Sequence, residues 1–277
     1  MTVALSGDGG DELFGGYTRY HTLEQLTALF GSIAPLGKLI RPLTKHLPGK
    51  LGRVADLIGS PTIDLYRRLI TVFSVEEVAA LTGTAPEFAE FDRAWNDARN
   101  LTLRRRAMAA DLLTYLPEAI LVKVDRASMA TSLETRAPFL DHRIVEFAMQ
   151  LPSTLLRDKL LLKKLVYRRL PKGLMERPKS GFSVPLARWF RGPLLSLLRD
   201  TLSDRMLDDL GLRDRPFIET FIAQHCAGQR DHASRLWALL VLGMWWQSQR
   251  PESPGRCRST RIASSAQRVA VCEVGST

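Results

Sequence analysis

The densest set of residues able to do chemistry lies near the start of the chain, in Ser6-Gly7-Asp8-Gly9-Gly10-Asp11-Glu12-Leu13-Phe14-Gly15-Gly16-Tyr17. Five glycines and three carboxylates crowd into this one segment. Glycines let backbone N–H groups approach an anion closely, and the start of a following helix adds a favourable dipole, so phosphate is a natural ligand. Asp8 and Asp11 would repel a bare phosphate, so the pattern makes sense with a hard cation such as Mg²⁺ between them. The spacing is neither the dinucleotide fingerprint, because Glu12 follows Gly9, Gly10 and Asp11, nor a Walker loop, because no Gly-Lys-Ser/Thr exists. Composition alone fits a glycine-rich turn with solvated acids equally well.

A second segment, LVKVDRASMATSLETRAPFLD at 121–141, alternates charged and apolar residues too densely for a plain amphipathic helix. Some of these charges should pair internally, with Glu134 and Arg136 the candidates, and a local ion-pair network holding two helices is the simplest reading. The third comprises KLLLKK at 159–164 and RPKSGFSVPLARWF at 177–190. A lysine in a loop bounded by Pro and Gly, such as Lys179, can reach a polyphosphate as a point charge, whereas Lys163 and Lys164 read as a solvated helix face. His225, Cys226 and His232 lack both the spacing and the fourth ligand of a zinc site.

These segments need elements to position them. Val3-Ala4-Leu5 followed by the glycine-rich turn and Glu12-Leu13-Phe14 predicts strand, loop, helix. Nearly everything downstream carries helical spacing. Ser74 with Glu77 predicts a capping box, Asp141 a cap for a helix that Pro152 closes, and Asp231 a cap for a long apolar helix through Leu236, Leu239, Leu240 and Met244. Gly173 to Pro185 reads as a loop. From Pro251 the Ser, Arg and Gly-rich composition predicts a disordered basic tail at 251–277 after a domain at 1–250. A lone strand cannot satisfy its own backbone groups, and the sequence offers Val3 to Ser6 no obvious neighbour.

The chain has 277 residues, 45% of them hydrophobic, enough for a sizeable core. No apolar stretch reaches the roughly 18–20 residues of a membrane crossing, and the N-terminus lacks a secretory pattern, so the default compartment is the cytoplasm. Three scattered cysteines argue against a disulfide framework. The net charge of +10 raises the question of nucleic acid, but Arg104, Arg105 and Arg106 on a helix and Arg256, Arg258, Arg261 and Arg268 in the tail form no single recognition motif. Solvated surface is the favoured reading of them.

In order and wording, SGDGGDELFGGYTRY, SLETRAPFLD, KLLLKK and RPKSGFSVPLARWF resemble the glutamine-dependent asparagine synthetase family. The likeness covers roughly residues 3–246. It implies a mainly α-helical C-terminal remnant of an adenine-nucleotide α-hydrolase-like α/β domain with one short N-terminal strand. It also implies a ligase that uses ATP and Mg²⁺ to adenylate the aspartate side chain, release pyrophosphate and let ammonia displace AMP. By the same resemblance Ser6, Gly7 and Glu12 belong to the nucleotide site and Asp11 holds the metal. Asp8 stands where the family often has glutamate, a residue implicated in forming the adenylate or handling the ammonia proton, and its side chain is one methylene shorter. Lys159 and Lys179 would neutralise phosphates. The family's Ser-Gly-Gly-x-Asp-Ser loop and glutaminase nucleophile occur nowhere in this sequence, so the chain reads as truncated and inactive alone. The reading outside catalysis is a non-catalytic fragment that needs a partner chain, an upstream chain or a second copy of itself. Another carboxylate is the alternative substrate.

Overall fold

The computed structural model describes residues 2–31, 60–175 and 184–249. It divides into two compact units, Met1–Val184 and Pro185–Thr277. The predicted tail at 251–277 and most of the predicted loop, including Lys179, lie outside the described residues. The first residues of that loop, Gly173 to Met175, are instead the end of a short helical turn.

In the first unit, β1 (Val3–Leu5) is the predicted strand, and the neighbour that the sequence seemed to withhold is β2 (Glu134–Arg136). They pair in parallel, Val3 opposite Glu134 and Leu5 opposite Arg136. The ladder extends as Ser6 N–H donates to the Arg136 carbonyl (2.8 Å) and Glu134 N–H to that of Thr2 (2.9 Å). Glu134 and Arg136 do pair, at 2.7 Å, but as exposed neighbours on one face of β2 and not between helices. A charged three-residue strand with one Thr between its charges carries no apolar alternation for sequence reasoning to detect.

The rest of the described residues in this unit are mainly helical. The helices are α1 (Gly10–Leu13), α2 (Thr18–Gly31), α3 (Thr62–Ile70), α4 (Val75–Thr82), α5 (Ala89–Asp97) and α6 (Leu103–Leu113). A π-helical turn (Leu116–Leu121) leads into α7 (Val122–Met129), and α8 (His142–Gln150), α9 (Leu160–Tyr167) and α10 (Lys172–Met175) complete the set. The predicted caps are present. Ser74 and Glu77 form both bonds of the capping box, and Asp141 Oδ1 accepts from Arg143 N–H. Helix α1 is one turn long, so it supplies little of the dipole expected behind the glycine-rich segment.

The core of this unit centres on buried aromatic rings, with Tyr66 stacked against Tyr20, Phe91 and Trp95. The fully buried Asp111 carboxylate lies among them, with its hydrogen bonds gathered on one oxygen, Oδ2. It accepts hydrogen bonds from Arg19 Nε (3.0 Å) and Nη2 (2.7 Å), Tyr20 Oη (2.7 Å) and Tyr66 Oη (2.6 Å). Helices α2, α3 and α6 are thereby tied at one atom. The arginines expected at the surface are also structural: Arg104 is buried against Glu24, Arg105 donates to the Met149 carbonyl, and Arg106 donates to the Trp95 carbonyl beneath its own ring contact. Long arginine stems bury readily when the head finds an acceptor, which a run of three cations does not reveal.

The second unit comprises α11 (Leu186–Phe190), α12 (Leu194–Thr201), α13 (Asp204–Asp209), α14 (Arg215–Cys226) and α15 (Ala233–Gln249). Asp231 caps α15 as predicted, accepting from Ala233 N–H at 2.9 Å. Helix α15 packs on α11, α12 and α14. His225 Nδ1 accepts from His232 N–H (3.1 Å), which assigns the ring proton to Nε2, bonded to the Ala187 carbonyl (3.0 Å). His232 pairs with Gln224 and lies against the Phe221 ring, so both histidines are core residues. No helix among the described residues is long and apolar enough to cross a membrane.

Two outcomes follow for the first unit. Asp111→Ala strands a buried guanidinium and two hydroxyls, and we expect a loss of about 3–5 kcal/mol in urea unfolding; an unchanged midpoint would remove Asp111 from the centre of the fold. Burial, reinforced by Asp111, pushes the Tyr20 and Tyr66 phenols up from their ordinary value of 10.0. The fold therefore keeps protons that the unfolded chain releases, so their contribution is intact below about pH 10 and is lost as pH rises beyond it. The urea midpoint should hold level through neutral pH and fall above that value, less steeply in Tyr20→Phe.

Candidate functional site

Parts of the segments singled out by sequence, the glycine-rich turn, residues 134–141 and the start of 159–164, meet at one corner of the first unit. Pairing of β1 with β2 brings the glycine-rich turn beside 134–141. Phe139 and Leu140 then pack directly under it: a Cβ on Gly9, which has φ +84°, would lie 2.3 Å from Leu140 Cδ2. Phe14 meets Phe139 edge to face at 5.8 Å. The lysine segment arrives through two backbone bonds, Asp158 N–H to the Gly15 carbonyl (3.0 Å) and Lys159 N–H to the Phe14 carbonyl (3.1 Å). Asp158 and Lys159 adopt left-handed φ of 50° and 56°, a conformation non-glycine residues avoid unless neighbouring structure enforces it.

That turn delivers Lys159 Nζ to Asp11 Oδ2 at 2.7 Å. The two side chains keep 32% and 30% of their surface exposed, so the pair faces solvent. Gly16 lies against it: a Cβ there would sit 1.9 Å from Asp11 Oδ1 and 2.4 Å from Lys159 Cε. Gly15, at φ +63°, presses on the Leu156 carbonyl, which a Cβ would meet at 2.1 Å. Both glycines are dictated by close approach, a requirement that the sequence shows only as glycine content.

The other candidates separate by partner. Ser6 Oγ donates to Asp8 Oδ2 at 2.8 Å. Gly7 is exposed, with no atom within 4 Å of a Cβ built on it, so its backbone is open to a ligand. Glu12 is only 3% exposed and accepts from Tyr17 Oη at 2.7 Å. Burial, with that bond, drives the Tyr17 phenol well above the usual tyrosine range. The Tyr17 ring in turn lies under the Arg19 guanidinium at 3.8 Å. Tyr17 and Gly16 are residues that sequence reasoning passed over, although both stand inside the motif it quoted. Lys163 and Lys164 are exposed on α9, as expected.

The donors present fit a cation that brings most of its own ligands. Among the described residues no three His, Cys, Asp or Glu side chains group together, so a cage for a bare ion is not what this corner provides. A half-exposed carboxylate beside an ammonium suits Mg²⁺ arriving with phosphate oxygens, because Mg²⁺ commonly takes one or two protein carboxylates and fills its octahedron from substrate and water.

Residues 1–247 match the family model described as asparagine synthase, and the chain belongs to that family. A putative glutamine-hydrolyzing asparagine synthetase of Mycobacterium tuberculosis (strain ATCC 25618 / H37Rv) is 32% identical over 256 residues, covering 88% of this chain and 39% of that protein. Asparagine synthetase 1 of Bacillus subtilis (strain 168) is 28% identical over 256 residues, with 88% and 40% covered. A more distant relative, Amidase chry2 of Gibberella zeae, is 23% identical over 260 residues, with 77% and 36% covered. The chain thus matches about two fifths of the length of these asparagine synthetases. No solved structure matches.

The two adjacent glycines should separate experimentally. Gly15→Ala meets a backbone carbonyl in a left-handed conformation and should cost about 2–4 kcal/mol in urea unfolding. Gly16→Ala meets only the ends of two flexible side chains and should cost about 1 kcal/mol. Equal midpoints for the two would contradict the contact with Leu156.

Proposed function

We propose that this chain forms part of an ATP-dependent asparagine synthetase, in which the aspartate side-chain carboxylate is adenylated and ammonia displaces AMP. The observation that supports this best is the solvent-facing Asp11–Lys159 pair beside the glycine-rich turn, in a chain of this family. Adenylation answers a definite chemical problem: a carboxylate is a poor acyl donor, and charged groups placed around the departing pyrophosphate lower the barrier. Mg²⁺, when bound, would neutralise charge building on the phosphates.

The chain's own residues then take distinct tasks. Asp11 would hold the cation. Lys159 would meet a phosphate oxygen through its ammonium, and Lys179 would do the same. Ser6 and the open backbone of Gly7 would contact the nucleotide. Asp8, oriented by Ser6, would serve the adenylation or accept the ammonia proton. Glu12, assigned to the nucleotide site by sequence, would support it from beneath through Tyr17. The setting we assign is cytoplasmic asparagine biosynthesis, with aspartate, ATP and ammonia as substrates and no nucleic-acid or membrane partner.

We assign turnover to this segment joined to one carrying the Ser-Gly-Gly-x-Asp-Ser turn, in the same or another polypeptide, including a second copy or an upstream partner. A different carboxylate substrate is the second reading, favoured by the relatives named amidases and by Asp8 in place of the longer glutamate.

The test is pyrophosphate release. The purified 277-residue chain should show none that depends on aspartate, and supplying a relative's upstream half should produce it. Asp11→Ala should lower that rate by about 10²–10³-fold. Release by the chain alone, reduced by Asp11→Ala, would overturn the need for a second segment. Release unaffected by Asp11→Ala would overturn the site.

A further inference from the structure

We propose that the Lys159–Asp11 ion pair makes this site selective for a cation already bound to a polyphosphate, and turns away the free cation. The inference rests on the functional reading above and adds a rule for the form in which the ligand enters.

The pair is electrically neutral as a unit, with Nζ 2.7 Å from Oδ2. A free divalent cation approaching Asp11 meets an oxygen already donated to by an ammonium, and must push a like charge aside to coordinate it. A free polyphosphate approaching Lys159 meets the Asp11 carboxylate next to its target and is repelled by it. A cation–polyphosphate complex removes both obstacles at once. Its phosphate oxygens accept the Lys159 N–H bonds as its cation takes the Asp11 carboxylate, so the single contact between Nζ and Oδ2 is exchanged for two. No group is left unpaired, and no proton moves.

The backbone favours exchange over rearrangement. Lys159 starts α9 from a left-handed φ of 56°, and its N–H is fixed to the Phe14 carbonyl. The base of the lysine is thereby held beside the turn that carries Asp11. Gly16 backs both side chains, so their open side is the one facing solvent. Lys159 is therefore a specificity-determining residue as well as a phosphate neutraliser.

Mn²⁺ titration followed by paramagnetic resonance tests this on the full chain, with and without inorganic pyrophosphate, and calorimetry follows pyrophosphate in excess Mg²⁺. Lys159→Met keeps the aliphatic stem; Lys159→Gln is the second variant, and thermal unfolding confirms that each folds. Free Mn²⁺ should bind Lys159→Met about tenfold more tightly than wild type, and adding Asp11→Asn should abolish that gain. Pyrophosphate in excess Mg²⁺ should bind wild type about tenfold more tightly than Lys159→Met. If wild type binds the magnesium complex but neither Lys159 variant gains free-Mn²⁺ affinity, the exclusion rule is overturned and the nucleotide reading stands. If wild type does not bind the magnesium complex, the entry rule falls, while the nucleotide reading is decided separately by pyrophosphate release from the combined segments.

Discussion

Asp111 is the point at which the first unit is constrained most tightly. One oxygen with no exposure to solvent takes four donors from Arg19, Tyr20 and Tyr66. Burying a carboxylate is costly unless its charge is compensated, and here a guanidinium and two phenols supply that compensation at Oδ2. Arg19 and Tyr20 belong to the helix that emerges directly from the glycine-rich turn. Fixing them fixes the exit of that turn, and its entry is fixed by the pairing of β1 with β2. A segment composed mostly of glycine and acid is thus clamped at both ends.

The clamp extends toward the candidate site through aromatic contacts. The Arg19 guanidinium covers the Tyr17 ring, and Tyr17 donates to buried Glu12. On the far side, carbonyls of Phe14 and Gly15 hold Asp158 and Lys159 in left-handed conformations. Two non-glycine residues in that region carry strain of about 1–3 kcal/mol each, and the surrounding hydrogen bonds sustain it. What the strain secures is the direction of the Lys159 side chain, which a regular helix start would aim elsewhere.

Local rules were legible in the sequence where one element suffices to express them. The Ser74–Glu77 capping box, the Asp141 and Asp231 caps, the strand at Val3 and the solvated lysines of α9 follow from neighbours a few residues apart. The features that build the site are long-range and were not legible. The strand Glu134–Arg136 is defined by its partner and not by its own pattern, and Lys159 finds Asp11 across 148 positions of sequence. Arg104, Arg105 and Arg106 illustrate the same limit in reverse, since a run of cations looks solvated until the acceptors on other helices are known. Motif resemblance named residues that meet at one corner because it carries the outcome of those long-range contacts without stating them.

The three carboxylates of the glycine-rich turn show how partners divide what composition lumps together. By residue type Asp8, Asp11 and Glu12 form one acidic cluster, and a cation between two of them is the natural first thought. Their partners differ in kind: a hydroxyl for Asp8, an ammonium for Asp11, a buried phenol for Glu12. A phenol that leaves Glu12 would strand a buried acceptor, so Glu12 is the least free of the three to exchange its partner. The Ser6 hydroxyl can rotate, which leaves Asp8 adaptable in direction, and among the described residues no ion pair holds it. Asp11 alone has a partner that a ligand can both replace and satisfy, because a phosphate accepts the ammonium while a cation takes the carboxylate. The acids in this turn are therefore graded by how readily each can exchange its partner, and that ordering, more than the number of acids, is what favours Asp11 for the proposed metal-holding role.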